Sequence, residues 1–456
     1  MHQPQVVDRL RHTEAWLRAL PPHAAKGRVA AATGAVIELA GLAPLLALGD
    51  RVDLIARGQR QIPAEIVALR GGHAQAMPLG PMPGIGLGAE ARLIPGAGPA
   101  ALSVHDSWLG RVIDPLGAPI DGRGALASGP PRPVRAMPPP AARRERLGPR
   151  IGLGVRVLDL FTTCRAGQRL GLFAGSGVGK STLLAMLARH ASCDVVVLAL
   201  VGERGREVRE FIEDDLGPAM PRCVAVVATS DQAPLLRREA AYAAMTVAEH
   251  FRDQGRSVLL LMDSVTRFCL ALREIGLSAG EPPATRGYPP SMFAELPCLL
   301  ERAGPGPSGS AGSITGLFTV LVEGDDHNEP IADAVRGILD GHAVLDRRIA
   351  ESGRFPAIDV LRSISRTVPG CLDQDQAALA RRARATLATA AELSDLVRLG
   401  AYRPGTDPAA DEALRIAPRI ESLLQQDRAE TAAPGCDPVG EAFVALSQAL
   451  GGSNAG

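Results

Sequence analysis

The sequence predicts an α/β fold: a mainly parallel sheet with helices on both faces, a small β-barrel before it and a helical region after it. Three observations predict this. Residues 169–184, RLGLFAGSGVGKSTLL, run from a short apolar strand through a Gly-rich turn into a helix-like apolar pattern. From Ile151 onward, apolar runs at 169–174, 195–201, 223–228, 258–262 and 315–322 alternate with helical stretches, the signature of parallel strands joined by crossover helices. Polar residues collect just after those runs, at the carboxyl ends where ligands sit in open sheets of this kind. The P-loop follows Ala174, Gly202-Glu203-Arg204 follows Val201, Thr229-Ser230-Asp231 follows Ala228, Asp263 follows Met262, and Glu323, Asp325 and Asp326 follow Val322.

The first of these edges has the form of a phosphate-binding P-loop. Gly175, Gly177 and Gly179 let the backbone turn its N–H groups inward around an anion. The helix that follows presents its positive dipole end to the same phosphates. The predicted ATP-binding set is Gly175, Ser176, Gly177, Val178, Gly179, Lys180, Ser181 and Thr182, with Lys180 reaching the β- and γ-phosphates and the Ser181 hydroxyl on Mg²⁺. Ala174 stands where the motif usually opens with glycine. The plain alternative is a glycine turn before an ordinary helix, and lysine usage argues against it. Of 49 basic residues only Lys26 and Lys180 are lysine. A chain that uses arginine everywhere else keeps a compact ammonium where a forked guanidinium is a poor substitute.

In chain order, residues 1–22 read as an amphipathic helix with Val6, Leu10, Leu17 and Leu20 on one face, ended by Pro21-Pro22. That face must be covered by its own domain or by a partner. Residues 23–98 read as a small antiparallel barrel, with strand segments at 27–41, 50–56, 61–70 and 90–96. Residues 99–370 hold the chemistry, entered through a turn-dense hairpin at 110–122 and a Pro-rich connector at 130–150. Residues 371–456 turn helical, with Ala- and Leu-rich stretches at 372–399, 409–426 and 440–450.

Composition narrows the function classes. The formal net charge is zero, so no global basic field recruits nucleic acid or anionic lipid. The barrel segment has no Phe, Tyr or Trp between Arg28 and Pro99, which disfavours base stacking. Seven scattered cysteines with no C-x-x-C predict reduced, mostly buried thiols in a cytoplasm. No signal peptide and no membrane-spanning run is expected.

Asp263 closes the apolar run LLLMD, the usual place for an acid that holds Mg²⁺. Ser264 follows it, so the carboxylate that polarises an attacking water must come from elsewhere. Glu203, ending another apolar run, is the best candidate; its bland reading is a salt-bridged member of the charged run GERGREVREFIEDD, most of which reads as a solvated helix face.

The stretches AGSGVGKST, VGERGREVREFIED, RGYPPSMFAELPCLLERAG, EGDDHNEPIADAVRGILDGH and FPAIDVLRSISR together resemble the protein-export ATPases of type III secretion, relatives of the rotary ATP synthase catalytic subunit. The resemblance runs from about Gly27 to Leu424, and GLFAGSGVGKS favours the flagellar branch over the injectisome branch. It implies an N-terminal β-barrel, a RecA-like ATPase domain, a helical C-terminal domain and a homohexamer with ATP sites between subunits. It assigns Glu203 the role of catalytic glutamate and supports Lys180, Ser181 and Asp263 at nucleotide and Mg²⁺. It makes Arg366, in SISR, the arginine supplied across the interface. Phe355 stands where the family usually has Tyr against adenine; Phe keeps the flat face and loses the hydroxyl. The segment 1–22 matches the part that docks a stalk-like regulator, and the implied partners are export-gate membrane proteins, export substrates and their chaperones. The expectation is a cytoplasmic ATPase, peripheral to the inner membrane, with ATP and Mg²⁺ and no nucleic acid. Its rivals are an injectisome ATPase, a hexameric RNA translocase and a non-catalytic ring subunit; the last would be expected to lack the Glu203 carboxylate.

Overall fold

The structure, a computed structural model, describes residues 25–93, 100–309, 311–322, 329–428, 430 and 437–451. The segment 1–22 read as a docking helix, and the strand-end acids Glu323, Asp325 and Asp326, lie outside the described residues. The chain divides into two units, Met1–Ala100 and Ala101–Gly456.

In the first unit β1 (Lys26–Thr33), β2 (Val36–Ala40), β3 (Arg51–Ile55), β4 (Gln61–Arg70), β5 (His73–Pro78) and β6 (Glu90–Leu93) close into a barrel of order β1-β2-β5-β4-β3-β6. Alternation aims Val29, Ile37, Leu39, Val52, Leu54 and Ile66 inward. Six strands replace the four segments read from the sequence. Residues 27–41 fold back on themselves at Gly34, whose φ of +60° suits glycine. The strand HAQAMP pairs between β2 and β4 and is missing from the sequence reading. Its inward residues Ala74 and Ala76 are fully buried but small, so the apolar alternation is faint.

In the second unit the main-sheet strands longer than two residues are β7 (Arg111–Ile113), β8 (Arg169–Ala174), β9 (Val195–Glu203), β10 (Cys223–Thr229), β11 (Ser257–Asp263), β12 (Ser313–Leu321), β13 (Gly341–Leu345) and β14 (Ile358–Ser365). They lie in the order β14-β13-β8-β12-β11-β9-β10-β7, all neighbours parallel except β13 and β14. The two-residue strand Gly304–Pro305 pairs beside β12. The predicted hairpin at 110–122 forms as a short one, with the Asp114 N–H donating to the Ala118 carbonyl at 2.8 Å and the Ile120 N–H to the Val112 carbonyl at 3.0 Å. Its first strand, β7, joins the sheet parallel to β10, and its return contributes a single bridge, Ile113 with Pro119. Asp121 meets Arg111 at 2.7 Å and fixes that turn.

The helices are α1 (Arg156–Phe161), α2 (Lys180–His190), α3 (Gly205–Glu210), α4 (Pro234–Arg252), α5 (Val265–Ser278), α6 (Pro290–Leu300), α7 (Pro330–Ile338), α8 (Arg347–Glu351), α9 (Gln374–Arg398), α10 (Pro408–Leu424) and α11 (Pro438–Ala449). Every residue of β9 from Val195 to Val201 is buried, so both faces of the sheet are covered, as an uninterrupted apolar strand requires. Leu183, Leu184 and Leu187 of α2 share one core with Leu170, Leu172, Leu198, Leu200 and Leu261. The C-terminal helices join the same core through Ala383, Leu387, Ile416, Ile420, Phe443 and Leu446. Burial of a Leu or Phe side chain contributes about 1.5–3 kcal/mol. That holds α11, whose 12 residues would be marginal alone. Arg384 of α9 adds a polar tie, donating to the carbonyls of Val360 (2.6 Å) and Phe161 (2.7 Å) while stacking on the Phe161 ring.

The charged run after Glu203 behaves as a solvated face. Arg204–Glu207, Arg206–Glu210 and Arg209–Glu213 pair at helical spacing on exposed side chains. The six described cysteines are free; Cys164, Cys223 and Cys269 are buried, while Cys298 is exposed. Among the described residues no helix is long and apolar enough to cross a membrane.

Candidate active site

Strand β8 ends buried at Ala174 and releases the chain into the glycine loop. Gly177 (φ +77°) and Gly179 (φ +88°) hold left-handed conformations that side chains resist. Gly175, Ser176 and Gly177 line the exposed rim, while Val178 turns its side chain into the core, so its share of any ligand contact is backbone. Gly179 caps α2, and Lys180, Ser181 and Thr182 form its first turn. The unpaired N–H groups of that turn and the loop make the local field positive.

Two carboxylates balance it. The Lys180 Nζ donates to Asp263 Oδ1 at 2.6 Å and lies 3.5 Å from Glu203 Oε1. Strand register explains the meeting. Asp263 pairs with Leu200 at the top of β9. Between Val201 and Glu203 the ladder to β10 slips at Gly202 (φ +72°), a bulge that re-aims the Glu203 side chain. A Cβ on Gly202 would stand 3.2 Å from the Arg267 side chain, which packs there. Asp263 is further fixed by Thr319, whose hydroxyl donates to Oδ1 at 2.7 Å from the adjacent strand β12.

Burial and the neighbouring Asp263 charge push the Glu203 carboxyl above the ordinary glutamate range, against the pull of Lys180 and Arg267. Burial presses the Lys180 ammonium down, but the Asp263 and Glu203 charges outweigh it, so its pKa lies above the usual lysine value. The group is therefore a firm cation, and Glu203 is a carboxylate of raised basicity.

Ser181, Glu203, Asp263 and Leu200 face a hollow of about 20 Å³, near the volume of one water-sized sphere. Its donors are hydroxyl and carboxylate oxygens, the chemistry of Mg²⁺ rather than of soft metals. No three His, Cys, Asp or Glu converge on a metal-sized point among the described residues. That fits a cation held by one carboxylate and one hydroxyl and completed by substrate phosphates and water.

Phe355 lies at the same edge, 41% exposed, with its ring 3.3 Å from where a Gly179 Cβ would be. Arg354 holds the turn from beneath, donating to the carbonyls of Pro356 (3.0 Å) and Ile358 (2.9 Å) and pairing with Glu421 of α10 at 2.7 Å. Arg347 of α8 reaches the loop itself, donating to the Ser176 carbonyl at 3.3 Å. Arg366 is not brought to this edge. Ala174 pairs with Leu345 and Leu345 with Ile358, whereas Ser365 pairs with Gly341 at the opposite end of the sheet. The partner strand β13 spans the two ends in five residues, Gly341–Leu345, about 13 Å at roughly 3.3 Å per residue, while β14 bulges between Asp359 and Ile364. Arg366, exposed, sits just past that far end.

Sequence reasoning missed Thr319, Arg267, Arg347 and Arg354. Thr319 was findable in principle, as the lone hydroxyl late in the apolar run 315–322; the arginines carry no signal among their many kind.

A parallel sheet with a glycine loop, an ammonium and two strand-end carboxylates at its carboxyl edge defines a P-loop ATPase of RecA type. Residues 154–365 match the ATP synthase alpha/beta family, nucleotide-binding domain, and residues 372–434 match the T3SS EscN ATPase C-terminal domain. The chain is 54% identical to the flagellum-specific ATP synthase of Caulobacter vibrioides over 427 residues, covering 92% of this chain and 96% of that one. It is 48% identical to the type 3 secretion system ATPase of Xanthomonas euvesicatoria, over 88% of this chain and 89% of that one. The assembled ATPase EscN from the enteropathogenic E. coli type III secretion system superposes with a TM-score of 0.85 at 39% identity, over 93% of this chain and 100% of that one. The chain belongs to the flagellum-specific ATP synthase family, within the ATPases of type III secretion.

Proposed function

We propose that this chain is the ATP-hydrolysing motor of a flagellar protein-export apparatus, coupling hydrolysis to delivery and unfolding of export substrates. The observation that carries the reading is the convergence of Lys180, Asp263 and Glu203 over the glycine loop. In this reading the Lys180 ammonium moves from its carboxylate partners to the β- and γ-phosphates, and backbone N–H groups of residues 175–182 hold their oxygens. Ser181 and Asp263 would hold Mg²⁺, which neutralises phosphate charge when bound. Glu203, freed of the ammonium, orients and polarises the attacking water. Phe355 offers its face to the adenine. Arg366 follows the end of β14 opposite its own loop, which supports its acting on a neighbouring copy's γ-phosphate.

A ring therefore follows, with the three-domain division at residues 98 and 370 and six copies as in the family reading. A solved EscN structure includes that ATPase's central stalk, EscO, and a comparable stalk is a partner to expect here. The regulator of segment 1–22, the export gate, substrates and chaperones complete the proposed partners at a cytoplasmic site on the inner membrane. The 54% identity to a flagellar relative against 48% to an injectisome one supports the flagellar system.

The test separates two jobs. Lys180→Ala is expected to abolish tight ATP binding, because it removes the charge that meets phosphates already present. Glu203→Gln is expected to bind ATP and lose turnover by about 10²–10⁴-fold. Nucleotide affinity and steady-state hydrolysis are measured for both; near-normal turnover in Glu203→Gln removes it from the mechanism.

A further inference from the structure

The turn that carries Arg366 stands on the amino end of the P-loop strand. Gln168, the residue before β8, is fully buried. Its Oε1 accepts from the Arg165 backbone N–H at 2.9 Å and from the Thr367 hydroxyl at 2.7 Å. Its Nε2 donates to the Ser365 hydroxyl at 2.9 Å, and Ser365 donates onward to the Thr163 carbonyl at 3.0 Å. Both chain neighbours of Arg366 are thus held by one side chain. A second tie runs beside it. The Asp340 carbonyl accepts the Arg366 N–H at 2.9 Å, and the Asp340 carboxylate accepts the Arg169 N–H at 3.0 Å. A buried amide costs free energy unless it is hydrogen-bonded, and an aliphatic side chain would fill the same space without that demand. Two of the amide's three bonds go to the residues flanking the exposed arginine, and the third goes to Arg165.

We propose that Gln168 is a positioning residue for Arg366. It fixes the backbone of the turn that presents the guanidinium to a neighbouring subunit. Because Gln168 also begins the strand that ends in the P-loop, it joins a subunit's own nucleotide loop to the arginine that subunit offers next door. The inference rests on Arg366 acting in trans.

Gln168→Met keeps the length and removes the polar head. Turnover falls about 10–100-fold, the scale of a reacting group misplaced by around 1 Å, while ATP affinity and assembly stay as in the parent. In an Arg366→Ala background the same change adds nothing further. Mixed assemblies then decide which site is affected. Mixed with Lys180→Ala subunits, Gln168→Met recovers activity, because its intact loop faces an intact neighbouring arginine. Mixed with Arg366→Ala subunits it recovers none. The opposite pattern, recovery with Arg366→Ala and not with Lys180→Ala, means that Gln168 acts on its own P-loop and overturns the proposal. A mixture of Arg366→Ala with Lys180→Ala serves as control. If both assemble and exchange and no activity returns, the trans reading itself fails and the inference falls with it; if the control recovers and Gln168→Met does not follow Arg366, only the inference falls. Should Gln168→Met not fold, Thr367→Val removes one of the same hydrogen bonds with an isosteric side chain and is held to the same pattern.

Discussion

The two edges of the large sheet solve opposite problems with different chemistry. At the carboxyl edge one ammonium lies within 3.5 Å of two carboxylates. At the amino edge an uncharged amide, two hydroxyls and backbone carbonyls are joined by bonds of 2.7–3.0 Å. Attraction between compact charges has little directional demand, so an ammonium can pass from carboxylate to phosphate without a defined intermediate geometry. Neutral hydrogen bonds are directional and short-ranged, and a buried set of them holds one arrangement. The carboxyl edge is built to exchange partners, and the amino edge is built to stay still.

The comparison breaks most visibly at the fixed edge. Arg366→Ala is expected to bind ATP, assemble and turn over about 10³-fold more slowly, at the lower end of what such arginines contribute. Specific activity of the parent should rise with protein concentration as assemblies form. Activity independent of concentration would place the arginine's action within one chain, against its position at the opposite end of β13 from the loop.

At the exchanging edge the support of Asp263 is the next largest lever. Thr319→Val removes the 2.7 Å bond to Oδ1 and leaves Asp263 free to follow the ammonium. Outer-shell partners of this kind change metal affinity by about 10–100-fold. The Mg²⁺ concentration giving half-maximal hydrolysis should rise on that scale with ATP binding retained; an unchanged Mg²⁺ curve means Thr319 is only a strand residue.

A pH profile sharpens the contrast further. Burial and the Asp263 charge raise the Glu203 pKa, and the base must be ionised to act. Turnover should therefore fall about tenfold per pH unit below an apparent pKa lying above the normal glutamate range. Residual turnover of Glu203→Gln should lack that limb. The smallest effect is expected at Phe355. Phe355→Leu loses the flat face against the base, worth about 1 kcal/mol, so KM for ATP should rise about fivefold with kcat unchanged. A fall in kcat instead would mean that the turn beside Gly179 shapes the loop rather than the base site.

The exchanging edge was largely legible in the sequence and the fixed edge was not. Lys180, Ser181 and Asp263 announce themselves because loop and strand-end residues are contiguous with apolar runs that fix their position. Glu203 is half legible: its place after β9 is plain, but the slip at Gly202 that turns it toward Lys180 depends on pairing with β10. Gln168 and Thr367 read as ordinary polar residues, since only the register of β8, β13 and β14 brings them together. The same holds for strand β5, whose alanines give no alternation strong enough to see, and for β7, whose partner β10 lies more than a hundred residues away.

The scarcity of lysine has a practical consequence. Lys26, 58% exposed in its side chain, and Lys180, 14% exposed, are the only ε-amines in the 456-residue sequence. Reductive methylation with a carbon-13 reagent would thus place two ε-labels on 456 residues, resolved by their very different surroundings, beside the one at the α-amine. One label sits on a barrel strand as an internal reference. The other sits in the nucleotide loop, and its resonance reports, without any engineered cysteine or fluorophore, on the electrostatic surroundings of the ammonium as nucleotide and Mg²⁺ are titrated in.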